Sequence, residues 1–332
     1  MTGSRRRYPN RMNLGVLDPA PLLRRGLLEV SRHDSLRTVI EKAPVSRGVV
    51  KRFVAGDDNA SAVAAAGELT ETERLVTIDY LGEDTLDEQM ATDTKDSYLN
   101  LLEQSSQAGL TSGGRVEVSV KLSALGQALG SDGYAMAMAN AQEICRAASN
   151  AGTTVTLDME DHETTDDTLQ ALRELRQDFP WVGAVVQSYL HRTESDCRDL
   201  AHEGSRVRLC KGAYAEPESV AFQDRIDVDK SYARCLNVLM AGDGYPMVAS
   251  HDPRLIEMAG TLAERNGRAN DTYEYQMLFG IRPDEQRRLA DAGARVRVYM
   301  PYGDQWYGYL VRRMAERPAN LVFFARSVLS TS

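Results

Sequence analysis

Cysteine is scarce in this 332-residue chain, and its four copies (Cys145, Cys197, Cys210, Cys235) include no CxxC pair. That spacing suits neither a zinc site nor a disulfide framework; it reads as reduced, mostly buried thiols in a cytoplasmic protein. Positive charge is in deficit. The 39 Lys and Arg against 48 Asp and Glu leave a net charge of −9, which argues against a general nucleic-acid binder. No apolar run approaches the roughly 18 residues of a membrane-spanning helix. The basic start MTGSRRRYPNRMN has no apolar stretch behind it, so it reads as a flexible arm (1–18), not a secretory signal. No GxGxxG follows any strand-like run, which removes the main support for a nicotinamide-binding Rossmann domain.

What is present is globular in kind: 42% of residues are hydrophobic and 26% charged. A chain of this length buries roughly three quarters of its extended surface and needs no metal or disulfide staple. Helical periodicity over 19–53, broken near Pro44, followed by a small, Ala-rich stretch over 60–68, predicts N-terminal helices within 19–68. From 69 to 332 the texture changes, and short β-branched runs alternate with amphipathic stretches. The runs are 74–81, 115–122, 153–160, 182–190, 206–214, 245–252, 272–280 and 295–303. Helical patterns cover 87–109, 133–151, 165–178, 193–203, 228–241, 253–266, 283–292 and 304–316. Eight strands alternating with eight helices require a parallel sheet with helical crossovers. A closed, TIM-like (βα)8 barrel accounts for the count; an open doubly wound sheet is the alternative.

Chemistry in such a barrel sits at the C-terminal ends of the strands. Those ends are rich in functional side chains here: Lys121, Asp158 with Glu160, Gln187, Arg208 and Lys211, Ser250 and His251, Glu274 and Gln276, Tyr299 and Tyr302. Each alone is explained as well by an ion pair stabilising the barrel, but the set converging on one mouth points to a ligand. The last helix carries Tyr309, Arg312, Arg313 and Glu316 at i, i+3, i+4 and i+7, which is one face. Arg312 and Arg313 project about 100° apart, so both reach one small anion from neighbouring directions. Glu316 is spaced to fix a guanidinium. On a surface helix this pattern is usually a solvated ion pair. Starting just past the eighth strand, however, the helix can lie over the mouth, which favours recognition of a carboxylate. Lys121 or Lys211 could instead be Schiff-base lysines. His251 with Asp158 and Glu160 is a weak metal set, and none is expected.

Seven ordered blocks now identify a relationship: EVSVKLSAL, TLDMEDHETTDDTL, AVVQSYLHRT, VRLCKGAYAEP, VASHDPRLI, YEYQMLFGI and VRVYMPYGDQWYGYLVRRMAER. Together, over about residues 70–326, they closely resemble the proline dehydrogenase family, in its monofunctional bacterial form. The resemblance implies a distorted (βα)8 barrel with an N-terminal helical arm, its last helix lying over the strand ends. It also implies non-covalent FAD and oxidation of L-proline to Δ1-pyrroline-5-carboxylate, the hydride passing from proline C5 to flavin N5 and the electrons to a quinone-type acceptor.

By position, Arg312 and Arg313 match the pair that grips the substrate carboxylate, helped by Lys121, with Glu316 as their helix partner. Tyr299, Tyr309 and Leu278 match residues packed around the proline ring, and Asp158 an aspartate close by. On the cofactor side Arg208 matches an arginine at the reactive edge and Gln187 a ring contact. Lys211, Gly212, Ala213 and Tyr214 match the adjoining segment, and Ser250 and His251 a hydroxyl–histidine pair. The Tyr299 phenol is expected to crowd a hydroxylated ring. The resemblance further implies functional coupling to a separate pyrroline-5-carboxylate dehydrogenase. The location is cytoplasmic, with peripheral contact at the inner membrane face as the variant reading. A Schiff-base lyase or aldolase, and a catalytically retired flavin-binding homologue, are the competing functions.

Overall fold

The computed structural model describes residues 50–82, 85–307 and 309–310. The arm over 1–18, the helices expected over 19–49 and the chain beyond 310 lie outside them. Helix α1 (Asn59–Thr70) precedes eight strands, and among the described residues each of the first seven is followed by an α-helix. The strands are β1 (Leu75–Tyr80), β2 (Val116–Val120), β3 (Val155–Leu157), β4 (Ala184–Gln187), β5 (Arg206–Cys210), β6 (Tyr245–Ala249), β7 (Glu274–Leu278) and β8 (Val296–Tyr302). Between them run α2 (Glu88–Gln107), α3 (Gly133–Asn150), α4 (Thr165–Asp178), α5 (Thr193–Leu200), α6 (Arg225–Ala241), α7 (Pro253–Arg265) and α8 (Pro283–Asp291). Of the helix expected over 304–316, the described residues reach only Leu310.

All the strand pairs are parallel, in the order β3-β2-β1-β8-β7-β6-β5-β4. The ring closes through Gly183, just ahead of β4. Its N–H donates to Val155 O (2.9 Å) and its carbonyl accepts from Leu157 N (3.0 Å). A Cβ at Gly183 would stand 2.7 Å from Thr156 Oγ1, so only glycine lets the two backbones meet there. This is the expected (βα)8 barrel, and the open doubly wound sheet is excluded.

Side-chain alternation decides what fills it. In β2 the sequence Val-Glu-Val-Ser-Val places Val116, Val118 and Val120 on the outer face, against helices α1 to α4. Val207 and Leu209 of β5, and Val296 of β8, do the same against α5 to α8. The other parity, including Glu117, Ser119, Arg208, Gln276, Arg297 and Tyr299, points inward. Side chains from non-adjacent strands therefore meet: Arg208 of β5 bonds to Ser119 of β2 and to Gln276 of β7. A polar lumen of this kind is stable only if every charge in it is paired.

Two devices shape the mouth. Helices α2, α6 and α7, which follow β1, β5 and β6, start on aspartates whose carboxylates accept from Met90 N (2.9 Å), Ile226 N (2.6 Å) and Arg254 N (3.1 Å). Residues 50–56 cross the end of β8, where Ala55 N donates to Pro301 O (2.9 Å) and Gly303 N to Gly56 O (2.8 Å). Val50, Phe53 and Val54 pack there with Leu81, Tyr309 and Leu310.

Candidate active site

Asp158 is the hub of the mouth. It follows β3 directly, and its N–H still donates to Val120 O (2.8 Å), which extends the ladder and fixes the backbone. One carboxylate oxygen accepts from Arg208 Nη1 (2.6 Å), the other from Tyr299 OH (2.7 Å), with Lys121 Nζ 4.0 Å away. The Arg208 guanidinium lies over the Tyr299 ring, 5.1 Å from its centroid. Burial and the Asp158 charge raise the Tyr299 phenol well above its ordinary value, so it stays a hydrogen-bond donor. For Arg208, burial disfavours the cation, but Asp158, Tyr299 and further neighbours outweigh it and the net shift is upward.

Lys121 has a second carboxylate that the sequence reading passed over. Asp79, near the end of β1 and only 1% exposed, accepts from Nζ through both oxygens at 2.9 Å. Burial pushes the Asp79 carboxyl upward, Lys121 pulls it down and Asp158 adds to the rise; the balance is upward. Tyr98 of α2 seals this corner, donating to Ser119 O at 2.7 Å. The signal was available, because Asp79 obeys the same strand-end rule that singled out Lys121.

Beneath the hub lies a buried support. Arg208 Nε donates to Gln276 Oε1 (2.6 Å), Gln276 Nε2 to Glu274 Oε1 (2.6 Å), and Arg297 Nε to that same oxygen (2.7 Å). Glu117 accepts from Thr77 Oγ1 (2.7 Å), Thr154 Oγ1 (2.6 Å) and Arg206 Nη2 (2.6 Å). Glu274 was expected at the mouth, but it is the first residue of β7 and belongs to the barrel floor. Tyr302 was expected there as well; its parity turns it outward, where it pairs with Ser97 Oγ at 3.1 Å.

The remaining sequence-predicted residues form the rim. Gln187 Nε2 donates to Glu160 O (2.7 Å), and the Glu160 carboxylate accepts from Ser123 Oγ (2.6 Å). His251 Nε2 accepts from Leu278 N (2.9 Å), which puts its proton on Nδ1, and Ser250 Oγ accepts from Asp252 N (3.1 Å). Lys211 is drawn away from the hub to Asp229 (2.5 Å) and Asp252 (3.6 Å), between the starts of α6 and α7. Gly212, at φ +111°, lies flat on the Tyr189 ring, where a Cβ would come within 2.2 Å. Ala213 and Tyr214 continue this half-buried segment. Its far end is tied down by Glu216, which holds His162 and accepts from Tyr189 OH (3.2 Å), a clasp the sequence reading did not identify. Tyr309 is buried beside Leu81 and Phe53. Arg312, Arg313 and Glu316 lie outside the described residues.

The structure therefore joins Lys121, Asp158, Arg208 and Tyr299 in one direct cluster, with Gln187, Ser250, His251 and Leu278 around it and Lys211 apart. Among the described residues no group of three or more His, Cys, Asp or Glu is placed to hold a metal ion, and no helix is long and apolar enough to cross a membrane.

Comparison with known proteins agrees with the barrel fold. Residues 62–326 match the family described as Proline dehydrogenase. The chain is 38% identical over 283 residues to the proline dehydrogenase of Deinococcus radiodurans, covering 85% of this chain and 90% of that one. It is 35% identical over 308 residues to proline dehydrogenase 1 of Bacillus subtilis, covering 93% and 99%. Among solved structures it resembles proline utilization A (PutA) of Bdellovibrio bacteriovorus, inactivated by N-propargylglycine. The TM-score is 0.75 at 26% identity, over 82% of this chain and 33% of that one, so this chain spans about a third of that protein.

Proposed function

The chain belongs to the proline dehydrogenase family, and from that premise we propose that it oxidises L-proline to Δ1-pyrroline-5-carboxylate with bound FAD, the electrons passing to a quinone-type acceptor. The observation that best supports this reading is the buried Lys121–Asp158–Arg208–Tyr299 cluster at the barrel mouth, where two cations, a carboxylate and a phenol converge.

The donor set fits a flavin. Arg208 Nη2 is buried with no hydrogen-bond partner among the described residues. The Glu117 carboxylate lies 3.9 Å from it in the support beneath the hub, so the donors open to a flavin are those of the rim. Ser250 accepts through Oγ and keeps its own O–H to donate, and Gln187 spends only its Nε2 on Glu160. A flavin ring is rich in carbonyl oxygens and ring nitrogens that accept from donors of this kind. Arg208, Gln187, Ser250, His251 and the 211–214 segment are the residues that would hold it. The chemistry FAD supplies when bound is acceptance of a hydride from proline C5 at N5.

The chain's own part is orientation and charge. Lys121, Arg312 and Arg313 bind the substrate carboxylate, Glu316 steadies the arginines, and Tyr299, Tyr309 and Leu278 wall the ring; for the residues past 310 these roles rest on the family blocks. Three cations around one carboxylate fix a near-attack geometry and lower the entropic barrier. Their summed charge also favours release of the substrate's ammonium proton, leaving the neutral amine that is the better hydride donor. Arg208, anchored by Asp158, stabilises the negative charge that accumulates beside it. The product then passes to a separate pyrroline-5-carboxylate dehydrogenase. The protein works in the cytoplasm or in peripheral contact with the inner membrane face.

The test is an anaerobic absorbance spectrum before and after L-proline. Flavin bands near ~450 nm that bleach support the reading. Bands that persist point to a retired homologue. A colourless protein that fails to respond to added FAD, and is trapped by borohydride with a carbonyl substrate, would establish the Schiff-base alternative. Against that alternative, Lys121 and Lys211 are each engaged by a carboxylate, at 2.9 and 2.5 Å.

A further inference from the structure

Gln276 takes no part in the proposed chemistry, yet it occupies the middle of β7 with its side chain in the lumen and is 3% exposed. The identity of its neighbours fixes the orientation of its amide. Arg208 Nε can only donate, so Oε1 faces it at 2.6 Å; an ionised Glu274 can only accept, so Nε2 faces that at 2.6 Å. Glu274 is in turn held by Arg297 at 2.7 Å and by Tyr245 OH at 3.1 Å, with no exposure of its own.

Arg208 is therefore held from two sides by different means. Its Nη1 end is held by Asp158 and Ser119, at 2.6 and 3.1 Å, while among the described residues its Nε bonds to Gln276 alone. Asp158 pairs with the guanidinium directly and Glu117 lies 3.9 Å from it, whereas Glu274 reaches it only through the intervening amide. An amide whose N–H is pulled by a carboxylate has a more basic oxygen, and chained hydrogen bonds strengthen one another in a low-dielectric interior.

We propose that Gln276 is a positioning residue which couples the Glu274 carboxylate to Arg208 and thereby sets how strongly this barrel stabilises a reduced flavin. The inference rests on the flavin reading above. It predicts a signature that substrate-binding residues would not give. In Gln276→Glu, the protonated side chain reproduces the native pattern, its O–H to Glu274 and its carbonyl to Arg208. Once ionised, it sets a second carboxylate against Glu274, and such pairs share one proton.

The experiment is dye-equilibrium measurement of the flavin reduction potential across pH, with single-turnover reduction by proline, on the unaltered holoenzyme, Gln276→Glu and Gln276→Met. Gln276→Glu should weaken the reduced state about tenfold at alkaline pH, about 30 mV for a two-electron couple. The gap should close toward acid, with proline KM unchanged. Gln276→Met, of similar volume, should slow flavin reduction at saturating proline about tenfold through loss of a hydrogen bond to a charged group, again at unchanged KM. Native potentials and rates in both variants would overturn the proposal. So would failure of both to fold, which would make Gln276 a structural residue. An unaltered protein without proline-reducible flavin would instead overturn the function above, and this inference with it.

Discussion

Replacing Glu117 by glutamine tests the buried support of the barrel without touching the mouth. Glu117 has no solvent exposure, and one of its oxygens accepts from both Thr154 Oγ1 and Arg206 Nη2 at 2.6 Å. Glutamine can present an acceptor to only one pair of these donors, and it removes the charge. Arg297 retains Glu274 at 2.7 Å and Arg208 retains Asp158 at 2.6 Å, but among the described residues Arg206 has no other carboxylate bonded to it. Removing one member of a buried pair costs about 3–5 kcal/mol. The Arg206 side chain keeps 13% exposure, so some water relief favours the lower end, about 3 kcal/mol. At roughly 2–4 °C per kcal/mol for a domain near this size, Tm should fall by about 6–12 °C. The pH dependence supplies a second check. Burial pushes the Glu117 carboxyl up, but Arg206, Arg297 and Arg208 overcome it and hold it well below its ordinary 4.5. Its contribution is therefore complete above 4.5 and is lost as pH falls through the folded value. Thermal melts followed by circular dichroism should show the full gap at neutral pH and a narrowing gap in acid. A variant melting within about 2 °C of the unaltered protein at pH 7, or a gap that widened on acidification, would refute the reasoning.

Other perturbations separate the roles assigned at the mouth. Arg208→Ala should slow flavin reduction at saturating proline by about 10²-fold, the usual loss for one preorganised charge-stabilising donor; a normal single-turnover rate would remove Arg208 from the chemistry. Arg313→Ala should raise proline KM by about two orders of magnitude, if its pair with the carboxylate is worth roughly 3 kcal/mol; steady-state kinetics with KM unchanged would end the carboxylate assignment. Asp79 carries the opposite pH sign to Glu117. Its carboxyl is raised by burial, so stability is full below the ordinary 3.8 and declines as pH rises through the folded value. Asp79→Asn should abolish that decline in denaturant melts, and persistence of the slope would assign it to another group. Tyr299→Ser, which opens the wall over the ring, should raise turnover of hydroxyproline relative to proline, and an unchanged ratio would place the discrimination elsewhere.

The barrel was legible because its eight strands and eight helices repeat two periods without interruption. Helix α4 (Thr165–Asp178) falls where periodicity puts it, while the predicted strand runs overshoot at their C-terminal ends. The run 153–160 contracts to Val155–Leu157, because the polar alternation carries on through Asp158, whose N–H makes the last ladder bond to Val120 O, and into Glu160 beyond it. Lys121, Asp158, Arg208 and Tyr299 were legible from their type and their place near strand ends. Asp79 was legible by the same rule and was passed over inside an apolar run. Glu117 and Gln276 were harder. A polar residue alternating with valines usually marks a strand face open to water, and only closure of the ring turns that face inward. Nothing local in YEYQMLFGI tells which partners Gln276 will meet across the lumen.

The closure at Gly183 has a mechanical consequence. The ring behaves as a split washer, joined by full ladders everywhere except at a slit between β3 and β4, where Gly183 supplies a single-residue bridge. Side chains of both the floor and the mouth span the slit, Arg206 reaching over it to Glu117 below. Arg208 reaches over it to Asp158, and Gln187 reaches over it to Glu160 O. The polar side chains of the lumen therefore also act as the latch of the ring, supplementing the short backbone bridge at its weakest joint.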